Sequence, residues 1–159
     1  NAGKSSLLAS ITNANPKIAN YQFTTLNPNL GVASYDGKEV TLADIPGLVE
    51  GAHTGTGLGI QFLKHIERCK SLLHMIDITN SDLKKSYEQI KNELKNYSPK
   101  LSKKKELVVL NKTDLVDKDK VKKIIKEFSK NIKSEVITLS TFEKSSILKI
   151  KSKLISYVS

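Results

Sequence analysis

A chain of 159 residues with 38% hydrophobic content is long enough for one domain with its own core. It holds no apolar run near the ~20 residues that a bilayer-spanning helix requires. Its first residues also lack the basic-then-apolar order of a secretory leader, so the expected location is the cytosol, with no membrane partner. The single cysteine, Cys69, cannot form an internal disulfide and reads as a packed, reduced thiol. The net charge of +10 is unevenly placed. Residues 1 to 70 carry 6 basic and 5 acidic side chains, whereas residues 71 to 159 carry 20 and 11. Such an excess attracts polyphosphate, RNA in particular. The plainer alternative is solvated lysine along helix faces, and Lys103 to Lys105 form the only tight cluster, without interleaved aromatics.

In chain order, Ser5 to Ala14 reads as a helix and Asn15 to Asn29 as a loop. Leu30 to Tyr35 and Glu39 to Asp44 read as short antiparallel strands around Asp36-Gly37, a dipeptide suited to the positive φ values of a tight hairpin. Ile45 to Ile60, with Pro46 and glycines at 47, 51, 55, 57 and 59, reads as a loop. A helix over Gln61 to Lys70, a buried strand over Ser71 to Asp77 and a helix over Asp82 to Tyr97 follow. The rest reads as strand Glu106 to Asn111, helix Lys118 to Asn131, strand Glu135 to Leu139 and helix Glu143 to Tyr157. This alternation predicts an α/β domain, a mostly parallel sheet with helices on both faces. Ligands of such sheets sit at the carboxyl ends of strands, where Asp44, Asp77 and Asn111 stand. Asp77, before Ile78-Thr79-Asn80, reads as a turn cap.

Three segments carry chemistry. Asn1-Ala2-Gly3-Lys4-Ser5 precedes a helix and matches the end of the phosphate-loop pattern G-x-x-x-x-G-K-[ST]. There Gly3 allows close backbone approach, Lys4 reaches the β and γ oxygens, and the Ser5 hydroxyl ligates Mg²⁺. The first glycine of the pattern and the strand before it would stand upstream of Asn1. Asp44-Ile45-Pro46-Gly47 fits the acidic residue that holds Mg²⁺, with the Gly47 amide toward the γ-phosphate. Asn111-Lys112-Thr113-Asp114, after the apolar run Leu107 to Leu110, fits a base-reading loop. The Asp114 carboxylate can accept from guanine N1-H and its amino group, a donor pair that adenine lacks. Asn111 would hold the far edge and tie the loop, and the Lys112 stem would lie over the base. A helix cap with surface charge is the plainer alternative for this tetrapeptide.

Here a resemblance becomes specific. Tyr21 to Val32 resembles the switch I sequence of the Obg family of GTPases, and Gly47 to His53, continuing through Gly55, Gly57, Leu58 and Gly59, resembles its switch II. The resemblance spans nearly the whole chain and implies a single P-loop GTPase domain over residues 1 to 159, entered partway through its phosphate loop. It implies GTP and GDP as ligands, Mg²⁺ held by Ser5, Asp44 and Thr25, with Thr24 the competing candidate for the last of these, and nucleotide contacts from Phe23, Thr24, Thr25 and Leu26 of switch I. It also implies a guanine contact from Ser140, Thr141 and Phe142, although this stretch departs from the usual serine followed by small residues. Gln22 stands where proline is usual. Leu48 occupies the place where many GTPases carry a water-orienting glutamine, so slow hydrolysis follows. Asn1 resembles the asparagine that helps bind K⁺ beside the phosphates, which makes K⁺ a candidate cofactor and Asn1, Lys4, Thr25 and Gly47 the catalytic set. His53 reads as a surface contact, His65 as a helix-face residue and His74 as a strand residue. The implied function is a monomeric, Mg²⁺-dependent GTP-hydrolysing switch acting on the large ribosomal subunit. A nucleotide-binding module without turnover is the alternative, and an ATP-dependent enzyme is disfavoured by Asp114.

Overall fold

Residues 3–12, 17–18, 29–44, 64 and 66–159 are described by the computed structural model. Helix α1 is Lys4–Ile11, followed by strands β1 (Lys17–Ile18), β2 (Asn29–Tyr35), β3 (Lys38–Ala43) and β4 (Ser71–Asp77). Helices α2 (Leu83–Tyr97) and α3 (Pro99–Ser102) precede β5 (Lys105–Asn111) and a 3-10 turn, Thr113–Leu115. Helix α4 (Lys118–Ser129), strand β6 (Glu135–Thr138) and helix α5 (Lys144–Val158) complete the order.

The alternation read from the sequence forms two sheets of three strands among the described residues. One is antiparallel, in the order β1-β2-β3, and the other parallel, in the order β4-β5-β6. The first closes at a two-residue turn between Tyr35 and Lys38, where Asp36 and Gly37 take φ of 52° and 71°. Two consecutive positive φ values give the turn the twist that neighbouring strands need. The second is built around β5, buried from Glu106 to Asn111 because β4 and β6 flank it and helices cover both faces.

Side chains alternate across β5 and divide the core in two. Leu107 and Val109 point with Met75 and Ile137 toward Leu7 and Ile11 of α1, Ile150, Leu154 and Ile155 of α5, and Ala33 and Val40 of the antiparallel sheet. This shared cluster joins the two sheets. Val108 and Leu110 point the other way with Ile76, against Phe128 of α4 and the half-buried Leu83 and Tyr87 of α2. Gly31 sits where α1 crosses β2, and a β-carbon there would run into Thr12 Cγ2 and lie 2.9 Å from Leu8 Cδ1. Gly31→Ala should therefore cost about 1–3 kcal/mol of overpacking, read as a lower midpoint in urea unfolding; an unchanged midpoint would refute this contact.

Several elements depart from the sequence reading. The stretch expected as loop from Asn15 contributes β1, and helix α1 ends at Ile11, three residues early. Of the helix expected over Gln61 to Lys70, residues 61–63 and 65 lie outside the described residues, Lys64 and Ile66 are helical, and Glu67-Arg68 form a turn, so the helix ends earlier than expected. Helix α3 was not anticipated. Pro99 suits a first helical position, where no amide partner is needed, and the Ser98 hydroxyl caps it from Leu101 N (3.2 Å) while donating to Glu67 Oε1 (2.6 Å).

Beneath α2 lies a buried polar cluster. His74 Nδ1 meets Glu106 Oε1 at 3.1 Å, and Glu106 Oε2 accepts from Tyr87 Oη (3.0 Å) and Ser134 Oγ (2.9 Å), with Lys91 Nζ at 3.6 Å. The Tyr87 ring stacks on His74 with centroids 5.2 Å apart. His74 is thus the buried strand residue the sequence suggested, with a partner that the sequence did not reveal.

Candidate functional site

Helix α1 starts abruptly at Gly3, whose φ of 95° belongs to the left-handed region that a side chain disfavours. Among the described residues no side chain caps the helix, which leaves its first amides without an intrahelical partner. A β-carbon on Gly3 would collide with Asn111 Nδ2, so the phosphate-loop glycine and the asparagine that ends β5 are in direct apposition. Two motifs 108 residues apart in the sequence thus meet at one sheet end.

The Lys4 ammonium lies 3.0 Å from Asp44 Oδ1 just past the end of β3, a charge contact rather than a directed hydrogen bond. Lys4 is half exposed, with Ser5 beside it open to solvent. Asp44 therefore reaches the loop that carries Ser5. Their hard oxygens suit Mg²⁺, which commonly takes one or two protein ligands and fills its shell with water and phosphate. The described residues contain no group of three metal-ligating side chains, a pattern Mg²⁺ does not require.

The base-reading loop is built by register. Asp77 and Asn111 are paired neighbours at the ends of β4 and β5, and Ile78 N donates to Asn111 O at 3.0 Å. Lys112 then turns left-handed at φ 66°, an uncommon conformation for lysine, and caps the 3-10 turn by accepting from Leu115 N. Its Nζ lies 2.7 Å from Asp77 Oδ2. Asp77 also caps its own turn, accepting from Thr79 N (2.9 Å) and Thr79 Oγ1 (2.6 Å), as the sequence reading held. Burial alone would raise the Asp77 carboxyl, but the hydrogen bonds from Lys112 and Thr79 and the Lys112 charge outweigh it and hold the group below its usual range. The hold on Lys112 was missed in the sequence, because only strand pairing brings residues 77 and 112 together.

Asp114 is exposed, yet oriented: Ser140 Oγ donates to its Oδ1 at 2.9 Å. Thr113 ties the loop to the end of β6 through Thr113 N and Oγ1, each 3.2 Å from Leu139 O. Ser140 itself is fully buried, and its amide donates to Ser146 Oγ at 3.0 Å. Thr141 is half-buried and Phe142 is 85% exposed, an aromatic ring standing free beside Asp114's serine partner. The structure thus gathers Gly3, Lys4, Ser5, Asp44, Asn111, Lys112, Thr113, Asp114 and Ser140 at one end of the sheets. Asn1, Ala2, Phe23, Thr24, Thr25, Leu26, Ile45, Pro46 and Gly47 lie outside the described residues, as do Leu48 and His53.

A phosphate loop opening a helix, an acidic residue ending a strand beside its lysine, and an Asn-Lys-Thr-Asp turn ending the central parallel strand together define a P-loop GTPase fold. Solved structures agree on that fold. The G domain of the T. maritima FeoB iron transporter superposes with a TM-score of 0.67 over all of this chain and 93% of that one, at 22% identity. Nucleolar GTP-binding protein 1 of Plasmodium falciparum gives 0.61 over 99% of this chain and 81% of that one, at 20% identity. The sequence family described as 50S ribosome-binding GTPase matches residues 1–112. The GTPase Obg of Pelagibacter ubique is 74% identical across the whole chain and 49% of its own length, and that of Ehrlichia chaffeensis 51% identical over 99% of this chain and 46% of its own. The chain belongs to the Obg family of GTPases. It spans about half the length of the curated relatives it matches.

Proposed function

We propose that this chain is a single GTPase domain that binds GTP and GDP with Mg²⁺ and hydrolyses GTP slowly, as the switch of a protein acting on the large ribosomal subunit in the cytosol. The observation that supports it most is the apposition of Gly3 with Asn111, because it joins a phosphate cradle to a loop whose Asp114 can read guanine. Names of relatives support the rest: GTPase Obg for hydrolysis, and 50S ribosome-binding GTPase for the partner.

In this reading Lys4 leaves Asp44 for the β and γ oxygens, so its charge follows the nucleotide. Ser5, Asp44 and Thr25 hold Mg²⁺, which when bound neutralises charge on the β and γ oxygens. Asp114 accepts from guanine N1-H and its amino group, and Lys112, held by Asp77, covers one face of the base. Because the Ser140 amide is engaged by Ser146, the guanine oxygen takes its donor from Thr141 or Phe142. The Gly47 amide meets the γ-phosphate, and Asn1 supplies a ligand for K⁺, whose charge stands in for an arginine finger.

The test is phosphate release from GTP, on a chain extended to include the first glycine of the phosphate loop. Release above the protein-free rate, and faster by roughly tenfold or more in KCl than in NaCl, is expected. Equal rates in the two salts would remove K⁺ and Asn1 from the mechanism. Leu48, at the position of a water-orienting glutamine, favours a second reading, a nucleotide-binding module without turnover. Tight GDP binding with no release above background would establish that one instead.

A further inference from the structure

Helix α4 places Val121, Ile124, Ile125 and Phe128 at i, i+3, i+4 and i+7, so one side packs on the parallel sheet and the other stays open. On the open side stand Lys122, Lys123, Lys126 and Lys130, with Lys133 just beyond, all exposed. Residues 118 to 133 contain seven lysines against Asp119 and Glu127, a net 7 − 2 = +5, half of the chain's +10. None of the seven forms an ion pair among the described residues, whereas Lys4, Lys91, Lys112 and Lys153 each do. The adjoining strand β6 is the edge of its sheet, so no further described strand lies beyond it.

Ordinary helix physics accounts for part of this face. Lysines near a helix C-terminus complement its dipole, which explains Lys126 and Lys130. Lys122 and Lys123 lie mid-helix, where the dipole has no purchase. Solubility is served by charge of both signs in balance, whereas this segment sets seven lysines against only two exposed carboxylates, Asp119 and Glu127.

We propose that the outer face of α4, with Lys122, Lys123, Lys126 and Lys130 as its ridge, docks on the phosphodiester backbone of a nucleic-acid duplex. Lys122, Lys126 and Lys130 recur every four residues, about 6 Å apart along the axis, and so form a row of point charges along one line. The ridge has no aromatic ring to stack on an unpaired base and no arginine fork to read a base edge, so it recognises phosphate. A protein partner is disfavoured because protein interfaces need a desolvated apolar or aromatic anchor and are depleted in lysine. The proposal stands independently of the GTPase reading, since the ridge belongs to neither the phosphate loop nor the base-reading loop.

The experiment compares the full-length protein with its Lys122→Gln, Lys123→Gln, Lys126→Gln, Lys130→Gln variant, binding a mixed-sequence RNA duplex across a salt series. A control variant removes four exposed lysines scattered over α2, α3 and α5: Lys84→Gln, Lys95→Gln, Lys100→Gln and Lys149→Gln. Four lost phosphate contacts should flatten the slope of log K against log salt by about 3 units in the ridge variant, and by less than about 1 in the control. A DNA duplex should show the same difference, since neither base nor sugar is read. Unchanged GTP turnover and melting temperature in the ridge variant will show that the fold is intact. Equal flattening in the two variants would overturn the proposal and leave diffuse attraction in its place. Dependence on the ridge for an acidic polypeptide but not for either duplex would overturn it as well.

Discussion

Asp114→Ala is expected to weaken GDP binding by about two to four orders of magnitude while leaving the weak binding of ADP unchanged. In the proposed reading the carboxylate would offer guanine two charge-assisted hydrogen bonds, each worth about 1.5–3 kcal/mol. The structure makes the group ready in advance, since Ser140 Oγ holds one oxygen at 2.9 Å and Ser140 is fully buried. A pre-oriented acceptor loses little freedom when the base arrives. Ser140→Ala should therefore have the same sign and a smaller size, about tenfold, as the one hydrogen bond that orients Asp114 is lost. Calorimetry with GDP and ADP checks both. If the GDP-to-ADP preference survives in Asp114→Ala, the base is read elsewhere and the guanine assignment fails.

The second large effect concerns stability. Glu106→Ala is expected to destabilise the fold by about 3–5 kcal/mol, because it leaves the buried His74, the half-buried Tyr87 and Ser134 and the Lys91 charge facing an empty space. The same carboxylate governs acid stability. Burial by itself pushes Glu106 up, but hydrogen bonds from His74 and Ser134, with attraction to His74 and Lys91, outweigh it and hold the group at about 2. A carboxyl depressed in the folded state binds its proton more readily when unfolded. Its stabilisation is thus complete above the unfolded value of about 4.5 and lost as pH falls toward 2, an effect of roughly 3 kcal/mol. Urea unfolding of the wild type and Glu106→Gln between pH 6 and pH 2 checks this: the wild type should lose stability more steeply in acid. Parallel losses would assign the acid sensitivity to other carboxylates.

Glu106 also marks a limit of sequence reading. Glu106 and Leu107 open a strand whose next residues, Val108 to Leu110, are apolar, and nothing in that order says that the glutamate turns inward. It does so because His74 of β4 and Ser134 before β6 are brought beside it by parallel pairing, and Tyr87 by the packing of α2. Asp77 is similar. As a single residue it was legible as a turn cap, and it does cap Thr79, but its grip on Lys112 exists only because Asp77 and Asn111 share a register position.

What the sequence by itself determined is the set of groups and their local geometry. The Asp36-Gly37 turn, the strands Ser71–Asp77 and Lys105–Asn111 and the helices Leu83–Tyr97 and Lys118–Ser129 all follow from local periodicity, capping and turn chemistry, which act between residues a few positions apart. The phosphate-loop and base-reading motifs are legible for the same reason. Only the tertiary structure decided which of these groups touch. Gly3 against Asn111, Lys4 on Asp44, Ser140 on Asp114 and Lys112 on Asp77 are contacts across 108, 40, 26 and 35 residues. Each is fixed by strand pairing and by the burial of Leu107 to Leu110 between two helical layers, a property of the assembled core that no local stretch of sequence contains.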